Sequence, residues 1–217
     1  MIDRYVNKVT WGDCLQVMKR LPDKCVDLVV TDPPYGIKRD KGFGGFGGFG
    51  KPIKRIEYNG NWDNKRPDKI CFDEVLRISK NAIIFGGNFF SDYLPQSNHW
   101  ISWDKLQTMP TFGDCELLWT SFDRNSVKKY IVEWNGLLGK EKQRFHATQK
   151  PEKLLMQIIN DYSTEGDLIL DPFAGSFTTV IACIRLKRNF IAIEKELRYC
   201  KIGLQRIKNE VSQLKLF

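Results

Sequence analysis

The stretch Asp32-Pro33-Pro34-Tyr35 brings a carboxylate, two prolines and an aromatic ring together. It directly follows Val26–Thr31, an apolar β-branched run that predicts a strand. Because proline has no backbone N–H and restricts its neighbours, this corner offers a carboxylate, bare carbonyl oxygens and a ring. Such a corner could bind an exocyclic amino group on a planar base. If Asp32 and the Pro33 carbonyl accept both hydrogens of that amino group, its nitrogen lone pair can face an electrophile while Tyr35 stacks on the base. A plain strand-to-loop turn is the alternative, since Asp and Pro are common in turns.

A second cluster, Asp171-Pro172-Phe173-Ala174-Gly175-Ser176, follows the apolar run 168–170 and precedes a predicted helix. Gly175 lets the backbone approach a ligand, and Ser176, Thr178 and Thr179 are predicted to cap the helix, whose N-terminus suits a ligand carboxylate. The next predicted strand, 190–193, ends at Glu194, placed to accept hydrogen bonds from ribose hydroxyls. This cluster does not contain the dinucleotide fingerprint G-x-G-x-x-G. A structural turn with a capped helix is the alternative.

Short apolar runs alternate along the chain with amphipathic stretches, a pattern typical of the α/β class, with a mainly parallel twisted sheet and helices on both faces. Strands are predicted at 26–31, 82–85, 168–170 and 190–193, with weaker candidates at 6–11, 100–103 and 116–121. Helices are predicted at 14–21, 67–79, 151–162, 177–186 and 197–214. In such a sheet ligands bind beyond the carboxyl ends of the strands, so we expect the two clusters to share one crevice.

An Asp-Pro-Pro-Tyr motif upstream of an Asp-Pro-Phe-x-Gly loop resembles the beta-class DNA amino-methyltransferases, over nearly the whole chain. The resemblance implies a Rossmann-like methyltransferase fold with permuted motif order, the catalytic motif preceding the cofactor motif. It implies S-adenosylmethionine as methyl donor, DNA as partner and an exocyclic amino group as acceptor. Asp32 favours N-6 of adenine, because Ser is typical at this position for N-4 of cytosine. Cytosine methylation stays open, as do amino methylation of RNA and a catalytically silent nucleic-acid-binding relative.

The resemblance also assigns roles to single residues. Asp32, Pro33, Pro34 and Tyr35 would be catalytic. Trp11-Gly12-Asp13-Cys14 resembles the element that contacts the cofactor's adenine, and His146-Ala147-Thr148-Gln149-Lys150-Pro151 is similar to a segment whose lysine lies near the methionine carboxylate. The cofactor-binding set would be Asp13, Lys150, Asp171, Pro172, Phe173, Gly175, Ser176, Thr178 and Glu194. Ala147 replaces a usual proline, and Phe177 stands where a second glycine is frequent, a departure that bears on the loop conformation.

The formal net charge of +8 favours a polyanionic partner. Basic residues flank the Gly-Phe stretch 42–50 and are predicted to contact nucleic-acid phosphates, with Phe43, Phe46 or Phe49 stacking on bases: Lys38, Arg39, Lys41, Lys51, Lys54 and Arg55. A low-complexity loop packed loosely on the sheet is the alternative. We expect a single domain over 1–217, with a catalytic-side loop at 36–66 and a short target-recognition insertion at 105–145.

Other classes of protein are disfavoured by the sequence. The six cysteines are scattered singly without a C-x-x-C pair, so no metal site is expected. The first residues carry no apolar signal core and no run approaches membrane-spanning length, so we expect a cytoplasmic protein without membrane contact. The apolar stripe of the helix predicted at 197–214 is expected to pack on the domain's own sheet, and a homodimer seam is the alternative.

Overall fold

The computed structural model describes residues 2–37, 63–107, 113–134, 145 and 149–214. Within them, eight strands form one sheet: β1 (Lys8–Trp11), β2 (Val26–Thr31), β3 (Ser79–Phe85), β4 (Trp100–Asp104), β5 (Cys115–Thr120), β6 (Val127–Ile131), β7 (Leu168–Asp171) and β8 (Asn189–Glu194). The α-helices are α1 (Cys14–Met18), α2 (Lys69–Ile78), α3 (Glu152–Tyr162), α4 (Thr178–Arg185) and α5 (Leu197–Leu214).

The strands lie in the order β1-β8-β7-β2-β3-β5-β4-β6. Neighbours from β1 through β3 are parallel, and β4 is parallel to β6. β5 runs antiparallel to both β3 and β4, which makes it the one reversed strand among those described. The carboxyl ends of the other strands and the amino end of β5 therefore meet at one edge of the sheet, where ligands bind in open α/β folds.

The central strands are apolar on both faces because helices cover both faces. Leu28 and Val30 of β2 pack into the cluster that contains Ile158 of α3, whereas Val29 packs on the opposite side with Phe72 of α2. This two-sided burial is why the sequence shows continuous apolar runs at β2 and β3 instead of alternation. The predicted α/β class and the mainly parallel sheet are confirmed.

Element boundaries differ from the sequence-based prediction in two ways. The strand predicted at 82–85 begins at Ser79, and α2 ends at Ile78. β6 was not predicted, since its sequence Val-Lys-Lys-Tyr-Ile buries Tyr130 alone and has no clear apolar face. It pairs with β4 through its backbone at the margin of the sheet, where burial of side chains is not required.

The face that α5 turns to the domain differs from the predicted one. Leu197, Leu204 and Val211 belong to the predicted packing stripe, yet they are 43%, 53% and 36% exposed. The buried face carries Cys200, which belongs to the predicted stripe, together with Tyr199, Gly203, Arg206 and Glu210, which do not. Part of the stripe prediction is therefore wrong, because buried ion pairs and a close glycine contact decide the orientation of this helix.

Candidate active site

The two predicted clusters lie side by side at the carboxyl edge of the sheet. β2 and β7 are adjacent parallel strands, with Val29 opposite Leu170. The Thr31 hydroxyl, at the end of β2, donates a hydrogen bond of 2.8 Å to Asp171 Oδ1 at the end of β7. Asp32 therefore starts its loop directly beside the Asp171 loop, as the sequence predicts.

Asp32 has protein donors on both of its carboxylate oxygens. The Tyr35 hydroxyl donates to Oδ1 at 2.6 Å, and the Lys150 ammonium donates to Oδ2 at 2.7 Å. Burial raises the pKa of Asp32, the Glu116 charge adds to this, and Lys150 opposes it. The sequence placed Lys150 near a cofactor carboxylate. Its nearest carboxylate in the protein is Asp32, and the cofactor contact stays a prediction.

The Tyr35 ring is positioned by the turn that follows β3. It stacks on Phe89 with ring centroids 4.7 Å apart. Gly86 adopts φ +64°, and a Cβ there would lie 2.4 Å from the tyrosine ring. This position therefore requires glycine both for its left-handed backbone and for the close approach of Tyr35. Stacking of Tyr35 on a base stays a prediction.

Asp63 closes the turn that follows the predicted catalytic corner, a role that no sequence pattern indicated. Its side chain is 2% exposed and accepts the Gly36 N–H at 2.9 Å. Gly36 has φ +73°, and a Cβ there would lie 2.9 Å from the Arg66 backbone nitrogen. The two ends of the segment that the sequence predicts as a catalytic-side loop are thus held together next to Tyr35.

Two further charged residues stand behind Asp32. Glu116 is the second residue of β5, and its Oε2 lies 3.4 Å from the Lys150 ammonium. Lys105, which follows β4, lies 2.8 Å from Glu116 Oε1. Burial would raise the pKa of Glu116, but Lys150 and Lys105 outweigh it and hold that pKa below its usual value. Strand alternation offered no signal for this cluster, because it forms through the reversed direction of β5.

Asp171 is saturated by donors from the chain itself. Thr31 donates to Oδ1, Thr179 donates to Oδ2 at 2.7 Å, and the Phe173 N–H donates to Oδ1 at 3.1 Å. Burial raises the pKa of Asp171 to about 6, against the lowering effect of these hydrogen bonds. In this structure the residue anchors the loop to β2, and a direct cofactor contact stays a prediction.

Glu194 joins the next strand to the same loop. Its Oε2 accepts the Gly175 N–H at 2.8 Å, and its Oε1 accepts the Glu196 N–H at 2.7 Å. Gly175 has φ +50°, and a Cβ there would meet nothing nearer than the Phe173 carbonyl at 3.9 Å. The surface over Gly175 is therefore open, so a ligand can reach this backbone, which fits the predicted cofactor loop. Pro172 is buried beneath that loop, and Phe173 is partly exposed.

The predicted capping of α4 by Ser176 and Thr178 is wrong. The N-cap is Phe177, in a left-handed conformation with φ +65° and no capping side chain. The Ser176 and Thr178 hydroxyls pair with each other at 3.1 Å in the interior, and the Arg206 guanidinium bonds the Ser176 carbonyl. A left-handed backbone favours glycine, which explains why the related family frequently has glycine at this position. In this chain the position holds Phe177, whose ring is fully buried against Gly203 of α5.

At the other end of this edge, Asp13 caps α1 by accepting the Gln16 N–H at 3.1 Å. The Trp11 indole is 63% exposed, and its Nε1 donates to the Lys195 carbonyl at 2.9 Å, next to Glu194. Trp11, Gly12 and Asp13 line a groove of about 550 Å³ between β1 and α1. An exposed indole and a carboxylate beside Glu194 are compatible with the predicted adenine contact.

The sequence model for DNA methylases matches residues 91–205, which is more than half of the chain. The protein belongs to the DNA methylase family. Among curated relatives, Type II methyltransferase M.HinfI of Haemophilus influenzae is 29% identical, over 95% of this chain and 70% of its own length. Type II methyltransferase M2.DpnII of Streptococcus pneumoniae is 28% identical, over 97% of this chain and 94% of its own length.

Solved structures of DNA methyltransferases share the fold of this DNA methylase. The M1.HpyAVI–SAM complex superposes with a TM-score of 0.59 at 22% identity, covering 92% of this chain and 98% of that one. The cytosine-N4-specific PvuII DNA methyltransferase gives a TM-score of 0.62 at 16% identity, covering 92% and 85%. The predicted Rossmann-like methyltransferase fold is confirmed.

Several predicted residues of the DNA methylase fall outside the described part of the chain. They include the six basic residues Lys38, Arg39, Lys41, Lys51, Lys54 and Arg55, as well as His146, Ala147 and Thr148. Among the described residues, no group of His, Cys, Asp or Glu side chains could hold a metal ion. The helices of that same part are all too short or too polar to cross a bilayer.

Proposed function

We propose that this DNA methylase transfers a methyl group from S-adenosylmethionine to the N-6 amino group of adenine in DNA. The observation that carries the proposal is the hydrogen bond between Thr31 and Asp171, which ties the acidic proline-rich corner to the Gly175 loop. A planar amino group held at Asp32 would thus face a donor bound over Gly175 across one short crevice. Such orientation of two reactants can supply a large part of a rate enhancement.

The donor would be held by residues at the ends of β1, β7 and β8, together with Lys150 just before α3. We propose that Gly175 and its loop approach the methionine part, with Asp171, Pro172, Phe173, Ser176 and Thr178 shaping that loop. Glu194 would accept ribose hydroxyls, because a carboxylate with two backbone donors still has lone pairs to offer. Asp13 would contact the adenine of the donor, and Lys150 would lie near its methionine carboxylate. When bound, S-adenosylmethionine supplies an electrophilic methyl group on a positively charged sulfur.

The protein's own part of the reaction is to orient and activate the amino nitrogen. Asp32 and the Pro33 carbonyl accept its two hydrogens, which turns the lone pair toward the methyl carbon. Pro34 keeps the corner rigid, and Tyr35 stacks on a base flipped out of its duplex. The nitrogen–carbon bond forms as the carbon–sulfur bond breaks, its electron pair stays on sulfur, and one amino proton leaves through the Asp32 carboxylate. The raised pKa of Asp32 favours this last step.

Adenine is proposed over cytosine because the first catalytic position holds Asp32. A carboxylate makes a charge-assisted hydrogen bond to an amino hydrogen and offsets the positive charge that the nitrogen gains. We propose that the loop 36–66, with its six basic residues, and the segment 105–145 contact the DNA as parts of one domain. We also propose that the protein acts in the cytoplasm.

A homodimer is proposed as well, because Leu197, Leu204 and Val211 form an exposed stripe with a seven-residue repeat along α5. Sedimentation at several concentrations measures its mass. A Leu204→Lys variant is expected to stay monomeric if the stripe is the interface, and a native protein that is already monomeric at high concentration would rule the dimer out.

The test of the reaction is incubation with labelled S-adenosylmethionine and unmethylated DNA of mixed sequence, followed by nucleoside analysis. Label in N-6-methyladenine supports the proposal, and label in N-4-methylcytosine would replace it with the alternative. Asp32→Ala is expected to abolish turnover while leaving donor binding largely intact. DNA binding without label from the native chain would contradict the proposal and indicate a silent nucleic-acid-binding protein.

A further inference from the structure

The proposed catalytic carboxylate is neutralised by a cation in this structure. Lys150 lies 2.7 Å from Asp32 Oδ2, and its side chain is 10% exposed, so water screens this ion pair poorly. Methyl transfer builds positive charge on the amino nitrogen held by Asp32. An ammonium at this distance opposes that charge and competes with the amino hydrogens for the same oxygen.

A second anion is placed to receive the ammonium. Glu116 Oε2 is buried, lies 3.4 Å from Lys150 Nζ, and has no hydrogen-bond partner among the described residues. The flexible four-carbon stem of lysine lets Nζ leave Asp32 and close this gap to an ordinary charge-assisted distance.

Lys105 pairs with the other carboxylate oxygen of Glu116, Oε1, and favours the ionised form of Glu116. It lies 2.8 Å from Oε1, and Trp103, whose β4 position is paired with Glu116, lies beneath it. Two carboxylates and two ammonium groups thus alternate in a short chain, Lys105, Glu116, Lys150 and Asp32. The net charge of the four groups is zero whether Lys150 leans toward Asp32 or toward Glu116, and when it leans toward Glu116 the amino group of the base takes its place as the donor to Asp32.

The elements that follow Lys150 restrain its backbone on that side, and its side chain is free to change rotamer. Pro151 and α3 follow it directly, and Glu152 forms an ion pair of 2.6 Å with the buried Arg206. Other groups facing the ammonium are the Tyr35 ring, 5.6 Å away, and Phe85, 5.2 Å away.

We propose that Glu116 is a positioning residue that draws Lys150 off Asp32 when the target base enters, so that Asp32 meets the amino group with its full charge. The proposal rests on the proposed role of Asp32 as the amino acceptor. Glu116 itself touches neither the base nor the donor. It acts by holding the ammonium away from the reacting nitrogen.

The decisive variant is Glu116→Gln, which keeps the shape of the side chain and removes its charge. Lys150 then has Asp32 as its one carboxylate partner among the described residues, and we expect kcat to fall by about 10- to 100-fold, with a smaller change in KM. The affinity for S-adenosylmethionine, measured by calorimetry, is expected to stay within about twofold. Glu165→Gln is the matched control, because Glu165 is exposed and pairs with Lys187 at 3.5 Å far along the chain.

The pH profile separates this role from a merely structural one. Asp32 and Glu116 together hold the pKa of Lys150 above its usual value against the opposing effect of burial. Without Glu116 that pKa falls, so Lys150 loses its proton and releases Asp32 at a lower pH. The ratio of kcat for Glu116→Gln to native kcat is therefore expected to rise from about pH 7 to about pH 10. A ratio that is flat with pH would overturn the inference.

A double-mutant cycle and a titration complete the test. Adding Lys150→Gln is expected to cost less activity in the Glu116→Gln background than in the native one, and simple multiplication of the two losses would overturn the inference. If Glu116→Gln fails to fold, Glu116→Asp, which withdraws the charge by one methylene, should show the same pH trend more weakly. The Lys150 side chain, followed by NMR of ¹³C-labelled lysine, must titrate lower in either variant. This titration tests the role of Glu116 without requiring any methylation activity. If the native protein methylates no base, that result refutes the proposed function and not the coupling between Glu116 and Lys150.

Discussion

Gly203→Ala, a substitution in α5, should disturb the proposed cofactor loop through the ring of Phe177. An ideal Cβ at position 203 would lie 2.1 Å from Cδ2 of the Phe177 ring and 2.4 Å from Cγ. Carbon atoms pack at about 3.5–4.0 Å, so the ring must move by more than about 1 Å. Phe177 is fully buried and immediately follows Gly175-Ser176, so its displacement is transmitted to the backbone that is proposed to hold the methyl donor.

The magnitude follows from two opposing effects. Overpacking of a buried ring costs about 1–3 kcal/mol, and an overlap this severe belongs at the upper end of that range. Replacing glycine by alanine within a helix stabilises the helix by about 1 kcal/mol. We expect a net loss of about 2 kcal/mol in the free energy of unfolding, or about 4–8 °C in Tm for a chain of this size. The Kd for S-adenosylmethionine should rise by more than about tenfold.

The assay is urea unfolding of the native chain and the variant, with donor binding by calorimetry. Lys208→Ala, at an exposed position of the same helix, is the control and should leave both quantities almost unchanged. Phe177→Ala alone is expected to cost about 3–5 kcal/mol through the cavity that it leaves. Combined with Gly203→Ala it should cost less than the sum, by about 3 kcal/mol, because the whole clash is gone. Additive losses, or a Gly203→Ala variant more stable than the native chain, would refute this account.

Three other variants test the remaining contacts of the two clusters. The pKa of Asp171 is raised from 3.8 to about 6 by burial, so its contribution to stability is present at low pH and is lost as pH rises through 6. The Asp171→Asn variant lacks this loss, and its free energy of unfolding relative to the native chain should increase by about 3 kcal/mol between about pH 4 and pH 7; a difference that does not vary with pH would contradict it. Thr31→Val removes a hydrogen bond that lowers the same pKa, so it should destabilise the fold by about 1–3 kcal/mol and move the Asp171 titration upward, as followed by carboxyl NMR. Glu194→Gln should weaken donor binding by about tenfold or more in calorimetry while leaving DNA affinity in a filter assay unchanged, and an equal loss of both would argue for general disruption.

The proposed catalytic corner and the proposed cofactor loop could be predicted from the sequence because their signals are local. Asp32-Pro33-Pro34-Tyr35 and the loop from Asp171 to Gly175 each follow an apolar strand, and parallel strands deliver their carboxyl ends to one edge. The fold class follows from the same alternation of apolar runs and amphipathic stretches. These features depend on residues a few positions apart, which is the range over which composition and periodicity are informative.

The contacts between residues that are distant in the chain depend on the tertiary structure alone. Glu116 reaches Lys150 because β5 reverses direction between β3 and β4, a pairing that no local pattern encodes. Phe177 takes a left-handed conformation that glycine would favour, since its ring fills space left by Gly203. Strand periodicity sets which way a side chain points, whereas the identity of its neighbour depends on sheet order and on long-range packing. The two motifs could therefore be recognised in the sequence, whereas the ion pairs of Lys105, Glu116 and Lys150 beside Asp32 could be found only in the tertiary structure.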